Sequence, residues 1–385
     1  MLEMVCGYMD SKFDLPMLND TNYGHFAYMK ELYEFPYREL GGEKLAFVLN
    51  SYYQHTKRDN LEAFLYGADA IEPADIKLEN YHTEVGTYGH TILRGPENRY
   101  LLLKHDSYGG EHDHYDRLGI SYMAYGDPIA RDLGTTGYGA RMHYDYYKNT
   151  ASHNTLAIGE ENQSPVNGKL IRYEEKDGAV YAEAEADWTA PYEMPDSFTI
   201  VQWSEKNYKT VKMRRKIIWT DQYWIDVFLA DGVPKELYSD WIFHIAGEKM
   251  EEKTNRDETE EEGPPQDYFT KKPLKYLHDG KMRKIQPGSV YKNVYQTENC
   301  RTSIYGMGNG QTVITAKGPD NPSVQELNYL IERRTEDSVL AVHVVESWKE
   351  EEVIKDVSFQ MDKGRLAIVI QEKTGKKEFS VRICQ

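Results

Sequence analysis

Two histidines one residue apart, His112 and His114, stand in the stretch EHDHYDRLG with Asp113 and Asp116 beside them. Histidine is scarce here, 12 of 385 residues, so the pair asks for a chemical account. On an extended strand, side chains two residues apart point the same way. A strand through this stretch therefore puts His112, His114 and Asp116 on one face and Asp113 and Tyr115 on the other. Two imidazoles on one face can serve one metal site, and they can equally be solvated side chains of an edge strand. Downstream, Asp132 in GDPIARDLGTTGYG and His153 in NTASHNTLAIG extend the pair to a His/His/Asp donor set of the kind zinc takes, with a fourth position for water or substrate. Asp132 also has a plainer reading, as the first residue of a turn completed by Gly134.

The elements that must position these residues have two textures. From about Tyr23 to Ile71 apolar residues recur at spacings of three and four, as in Phe26, Met29, Leu32 and Tyr33, then Leu45, Val48, Leu49 and Tyr52, which predicts two or three helices. After IEPADI the chain turns to short alternating runs separated by glycine, among them RYLLLKHDS, LGISYMAYG, AVYAEAEAD, FTIVQWSE, KMRRKIIWT, YWIDVFLADG and SVLAVHVVES. Ten or more strands with turns between them predict a large antiparallel sandwich or barrel. No phosphate loop, βαβ alternation or GxSxG elbow is present.

Composition narrows the partners. A formal charge of −17 leaves no basic face for a nucleic-acid backbone. Part of it is local: EEKTNRDETEEE, from Glu251 to Glu262, sets seven acids against Lys253 and Arg256 and reads as a solvated loop. Thirty-one tyrosines against 11 phenylalanines suit half-buried surfaces and grooves for polar ligands such as sugars. Cys6, Cys300 and Cys384 are far apart and give neither a disulfide framework nor a metal spacing. The first residues carry acids where a signal peptide needs a basic and then an apolar region, and no run of 18 apolar residues occurs. As written, the expectation is a cytoplasmic chain with no membrane partner.

The order GHTILRGPENRYLLLKHDSYGGEHDHYDRLGISYMAYGDPIARDLGTTGYG, followed by YYKNTASHNTLAIGEENQ, resembles the C-terminal domain of the heparinase II/III-like polysaccharide lyases, which include alginate and oligoalginate lyases. The resemblance covers roughly residues 15–230 and is densest from Gly89 to Gln163. It implies a mainly β fold, an antiparallel β-supersandwich over residues 79–385, preceded by a short α-helical remnant of an (α/α) toroid over residues 1–78. It implies a zinc held by His114, Asp132 and His153, and it places His112 in a cleft that cleaves uronate-containing chains by β-elimination. Arg141 would join His112 on the substrate carboxylate, and Tyr138 could line a sugar subsite. The family's tyrosine base lies on toroid helices, and residues 1–78 are too few to form them. Tyr23 and His25 are weak substitutes, because residues two apart on a helix do not share a face.

The leading expectation is thus a zinc-containing lyase of acidic polysaccharides, or the sandwich half of one, as a homo-oligomer or with a toroid-bearing partner. Two alternatives stay open: a non-catalytic carbohydrate-binding protein or split subunit, and a metal hydrolase on a cupin-like sheet. Gln163 matches the family pattern without an assigned role, and His143, His244 and His343 read as structural.

Overall fold

The fold was analysed in a computed structural model, which describes residues 3–21, 31–54, 56–83, 89–193, 201–250 and 268–383 and the backbone of residues 261–262. The N-terminal part holds α1 (Met4–Tyr8) and, within the helical texture, α2 (Glu34–Leu40), α3 (Glu43–Tyr53) and α4 (Leu61–Tyr66). In α3 the expected spacing holds: Leu45, Val48 and Leu49 are buried together with Ala46. Asn60 caps α4 by accepting the Ala63 amide at 2.8 Å. Helix α1 lies outside the predicted helical stretch, being a single turn without amphipathic period. Phe26 and Met29, like Tyr23, His25 and Cys384, lie outside the described residues.

Among the described residues from Tyr81 onward, antiparallel strands form four sheets, as expected for a large sandwich. The first sheet has five strands, in sequence order from Tyr81–His82 to Asp127–Ala130. An eight-stranded sheet has Ser338–Trp348, Tyr223–Asp231 and Lys212–Trp219 as neighbours near its middle. A six-stranded sheet contains Ser239–Ile245 paired with Leu156–Ile158, and a three-stranded sheet spans Ile354–Arg382.

Alternation explains how these layers share cores. Ile217 and Trp219 point to one side of the eight-stranded sheet and pack with Leu93, Leu101, Trp241 and Phe243 of the five- and six-stranded sheets. Their neighbour Ile218 points to the other side, where it meets Val357, Ile368 and Ile370 of the three-stranded sheet. A sheet buried on both faces reads as a nearly continuous apolar run, which is why YWIDVFLAD is apolar at almost every position. Asp226 in that run is completely buried and paired with the equally buried Arg215, Nη2 to Oδ2 2.7 Å. Arg215 also donates through Nη1 to the carbonyls of Leu118 (2.8 Å) and Asn154 (2.6 Å). One guanidinium thus ties the central sheet to the two loops that carry His114 and His153.

Two strand expectations fail. Residues 111–119 form a succession of turns, and the strand begins at Ile120. The cause is local: Asp113 accepts backbone N–H groups from Gly109 (2.9 Å) and His114 (2.9 Å) and a bond from Arg117 (2.6 Å), so side chain–backbone bonds replace ladder bonds. In FTIVQWSE the described part, from Val201, has no ladder and passes into a short helix at Glu205–Tyr208 capped by Ser204.

Candidate functional site

The turns of residues 111–119 send the two histidines to opposite environments. His114 is fully buried, whereas the His112 side chain is 67% exposed. Both still meet one group. Asp20 accepts from His112 Nδ1 through Oδ2 at 3.0 Å and from His114 Nε2 through Oδ1 at 3.1 Å. His143 Nε2 (3.6 Å) and Lys148 Nζ (3.9 Å) lie further out around the same carboxylate. Burial would raise the Asp20 carboxyl, but the hydrogen bond and charge of His114, with Lys148 and His112, hold it at about 2. Asp20 closes the stretch PMLND, but it lies 92 positions from His112 and no spacing rule connects the two.

Asp20 is fixed by the turn after Asp132. Gly134 has φ +55°, and a Cβ there would stand 2.1 Å from the Thr21 carbonyl oxygen. That oxygen accepts the Thr135 amide at 3.1 Å. Only glycine lets the two backbones approach this closely.

Ligand atoms of His114, Asp132 and His153 lie within 4.8 Å of one another, and all three side chains are buried. His153 donates from Nδ1 to the Asn149 carbonyl at 2.7 Å, which leaves Nε2 facing His114 Nδ1 at 3.1 Å and Asp132 Oδ1 at 3.7 Å. His114 has its Nε2 on Asp20. When both rings are neutral, the two facing nitrogens therefore both lack a proton, and a cation between them resolves the repulsion. Burial pushes His114 down to about 4, which favours the neutral ligand form, and it raises the Asp132 carboxyl against the opposing pull of His153. The donor set fits zinc, and a hard cation would want more oxygen ligands. Asp132 also fulfils its plainer role, since Oδ1 accepts the Gly134 amide at 2.9 Å.

His112 and Tyr138 are brought together on an open groove of about 660 Å³ between the N-terminal segment and the sandwich. Tyr138 Oη lies 2.9 Å from His112 Nδ1. The polar lining also includes Tyr8, Asn19, Asp20 and His90, with Met4, Val5 and Leu18 as apolar wall. None of the three candidate ligands lines the groove; the candidate set connects to it through Asp20, which lines the groove and bonds His114. Arg141 is placed elsewhere: its side chain is 83% exposed and pairs with Asp145 at 2.8 Å.

Lys104, the last residue of the strand Arg99–Lys104, is buried in a charge cluster with Asp113 (3.1 Å), Asp116 (2.7 Å) and Asn19. Gln163 is structural: Oε1 accepts the Arg117 amide at 2.7 Å and Nε2 donates to the Leu156 carbonyl at 3.1 Å. His244 bonds the Arg131 carbonyl, and His343 stacks on Trp241 with ring centroids 3.7 Å apart. Both belong to the core, as expected. Among the described residues no helix is long and apolar enough to cross a membrane.

A search of curated protein sequences found no match. Among solved structures, a heparinase III gene product aligns at TM-score 0.66 and 14% identity over 99% of this chain and 52% of its own. A mutant heparan sulfate lyase from Pedobacter heparinus aligns at 0.65 and 10% identity over 99% and 52%, and another heparinase III at 0.63 and 12% over 98% and 53%. The chain thus spans about half the length of the structures it matches, and at these identities the likeness is one of fold. Residues 83–305 match the family profile described as heparinase II/III-like, C-terminal, and on that match, over more than half of its length, the chain belongs to the heparinase II/III-like family.

Proposed function

We propose that this protein acts as a polysaccharide lyase on uronate-containing glycans such as alginate or heparan-type chains, cleaving them by β-elimination. The observation that carries this reading is the Asp20–His112 couple on the groove. With Nδ1 donated to an ionised carboxylate, His112 keeps Nε2 for the substrate. An imidazole so held can take the proton from C5 of a uronate, and the imidazolium formed is then balanced by Asp20 on one side and neutralises the sugar carboxylate on the other. Asn19, whose amide oxygen is held by the buried Lys104 ammonium, retains its amide nitrogen as a donor, and Tyr138 adds a hydroxyl; both suit a carboxylate in the groove. Zinc bound by His114, Asp132 and His153 would supply structure, pinning the turn that carries His112.

One second reading is a carbohydrate-binding subunit that completes its active site with a separate helical partner. Incubation with alginate, heparan and other uronans separates the readings. Elimination makes a C4–C5 double bond conjugated to the carboxylate and raises ultraviolet absorbance. Reducing ends without that absorbance mean hydrolysis and overturn the proposal. Absorbance only after a helical partner is added supports the split-subunit reading.

A further inference from the structure

The groove carries a second phenol–imidazole couple, made by elements far apart in sequence. Tyr8 is the last residue of α1, His90 opens the strand His90–Gly95, and the Tyr8 hydroxyl lies 3.0 Å from His90 Nδ1. Both residues line the groove that His112 and Tyr138 line. His90 is 5% exposed, and its other ring nitrogen, Nε2, has no hydrogen-bond partner, with Asp106 Oδ2 at 3.9 Å. Thr83 also reaches the phenol and accepts the His90 amide at 2.9 Å.

The placement of Tyr8 is over-determined for a residue on a single helical turn. Arg94 donates through Nη2 to the carbonyls of Gly7 (2.8 Å) and Met9 (2.7 Å), and the Tyr100 hydroxyl donates to the Tyr8 carbonyl at 3.1 Å. A cation and a phenol thus take up the carbonyls at the helix C-terminus and bolt it to the sandwich. Gly7 lets the Tyr81 ring lie against the turn, since a Cβ there would stand 2.7 Å from that ring.

Resting on the lyase reading above, the geometry points to Tyr8 as the general acid that protonates the departing O4 oxygen, with His90 as its positioning residue. In the tautomer with the proton on Nδ1, His90 donates to the phenol oxygen and leaves the phenol's own proton free for the groove. In the elimination the C5–H bond breaks, its proton goes to His112 Nε2, and its electron pair becomes the C4–C5 double bond. The C4–O4 bond breaks with its pair on O4, which takes the Tyr8 proton. The phenolate, held by the His90 N–H, regains a proton from water, and His112 releases one. The electrostatics agree: burial, with Tyr81 adjacent, raises the Tyr8 phenol and keeps it protonated, while burial and the Lys104 charge push His90 down to about 3 and keep it neutral.

The test compares wild type with Tyr8→Phe, His90→Asn and His90→Leu on the uronan that wild type cleaves and on a synthetic uronate carrying an aryloxide leaving group at C4. Tyr8→Phe is expected to lower kcat on the natural substrate by about 100- to 10,000-fold with KM little changed, and to be far less impaired on the aryloxide, which departs without a proton. His90→Asn retains a donor where Nδ1 stood and should keep most activity, whereas His90→Leu should lose it. Equal losses on both substrates, or no loss in Tyr8→Phe, overturn the acid role and leave the lyase reading standing. Equal activity in the two His90 variants overturns the positioning role. No unsaturated product from wild type on any uronan overturns the lyase reading itself, and the role of Tyr8 with it.

Discussion

Asp20 gives one carboxylate oxygen to each histidine of the pair, so one side chain serves two chemistries. Replacing it with asparagine keeps the shape but removes the charge that steadies an imidazolium. Asp20→Asn is expected to lower kcat/KM by about 10- to 100-fold, the usual cost of losing a group that orients a ligand or base. His114→Ala removes a proposed ligand and also frees one oxygen of Asp20; wild type is expected to retain stoichiometric zinc through gel filtration and His114→Ala to lose it, as read by emission spectrometry. At this scale the sequence was partly legible. His114 and His153 stood out because histidine is scarce, Asp132 joined them through the stretches that follow and the family resemblance, and the structure brings the three together. Asp20 and Tyr8 are common residue types whose partners lie more than eighty positions away, and no spacing rule connects them.

Elements decide whether those residues stay aimed. Helix α1 depends on Arg94, whose two bonds to its carbonyls are charge-assisted and worth about 1.5–3 kcal/mol each. Arg94→Met should raise amide exchange across residues 4–9 by about tenfold or more while leaving the sandwich strands protected. In the six-stranded sheet, Glu332 is held at about 2: burial would raise it, and Arg334 and His343 more than offset that. A depressed carboxyl stabilises the fold above its unfolded value of about 4.3, and that contribution is lost as pH falls toward the folded value. Wild type should therefore lose stability between about pH 5 and pH 2, and Glu332→Gln should be less stable at neutral pH with a shallower decline over that window, measured by urea unfolding. Strand runs such as KMRRKIIW and YWIDVFLAD were readable because alternation and apolar content set them. The turns at residues 111–119 were not, because Asp113 captures backbone amides there and the apolar pattern does not register that competition.

For the whole molecule, Arg215 is the joint between architecture and site, completely buried and bonded to Asp226 and to the carbonyls of Leu118 and Asn154. Arg215→Met leaves a buried carboxylate and two carbonyls without their donor and should cost about 3–5 kcal/mol by urea denaturation, with much of that recovered in Arg215→Met/Asp226→Leu. The sandwich itself was foreseeable from the count of strands, whereas a cleft at His112 was foreseeable only from the family resemblance and its N-terminal wall not at all, since the groove forms where the segment around α1 lies against strands that follow about eighty residues later. The position of Asp20 carries a further consequence. Its carboxylate comes from the N-terminal segment, and both imidazoles come from the sandwich. On the proposed reading, a cation on His114 would draw on one oxygen and a substrate at His112 on the other, which would link the two occupancies thermodynamically. Whatever factor a cation contributes to substrate affinity, the substrate must return to cation affinity, so zinc affinity measured by equilibrium dialysis should change on glycan loading by the same factor by which zinc changes glycan affinity.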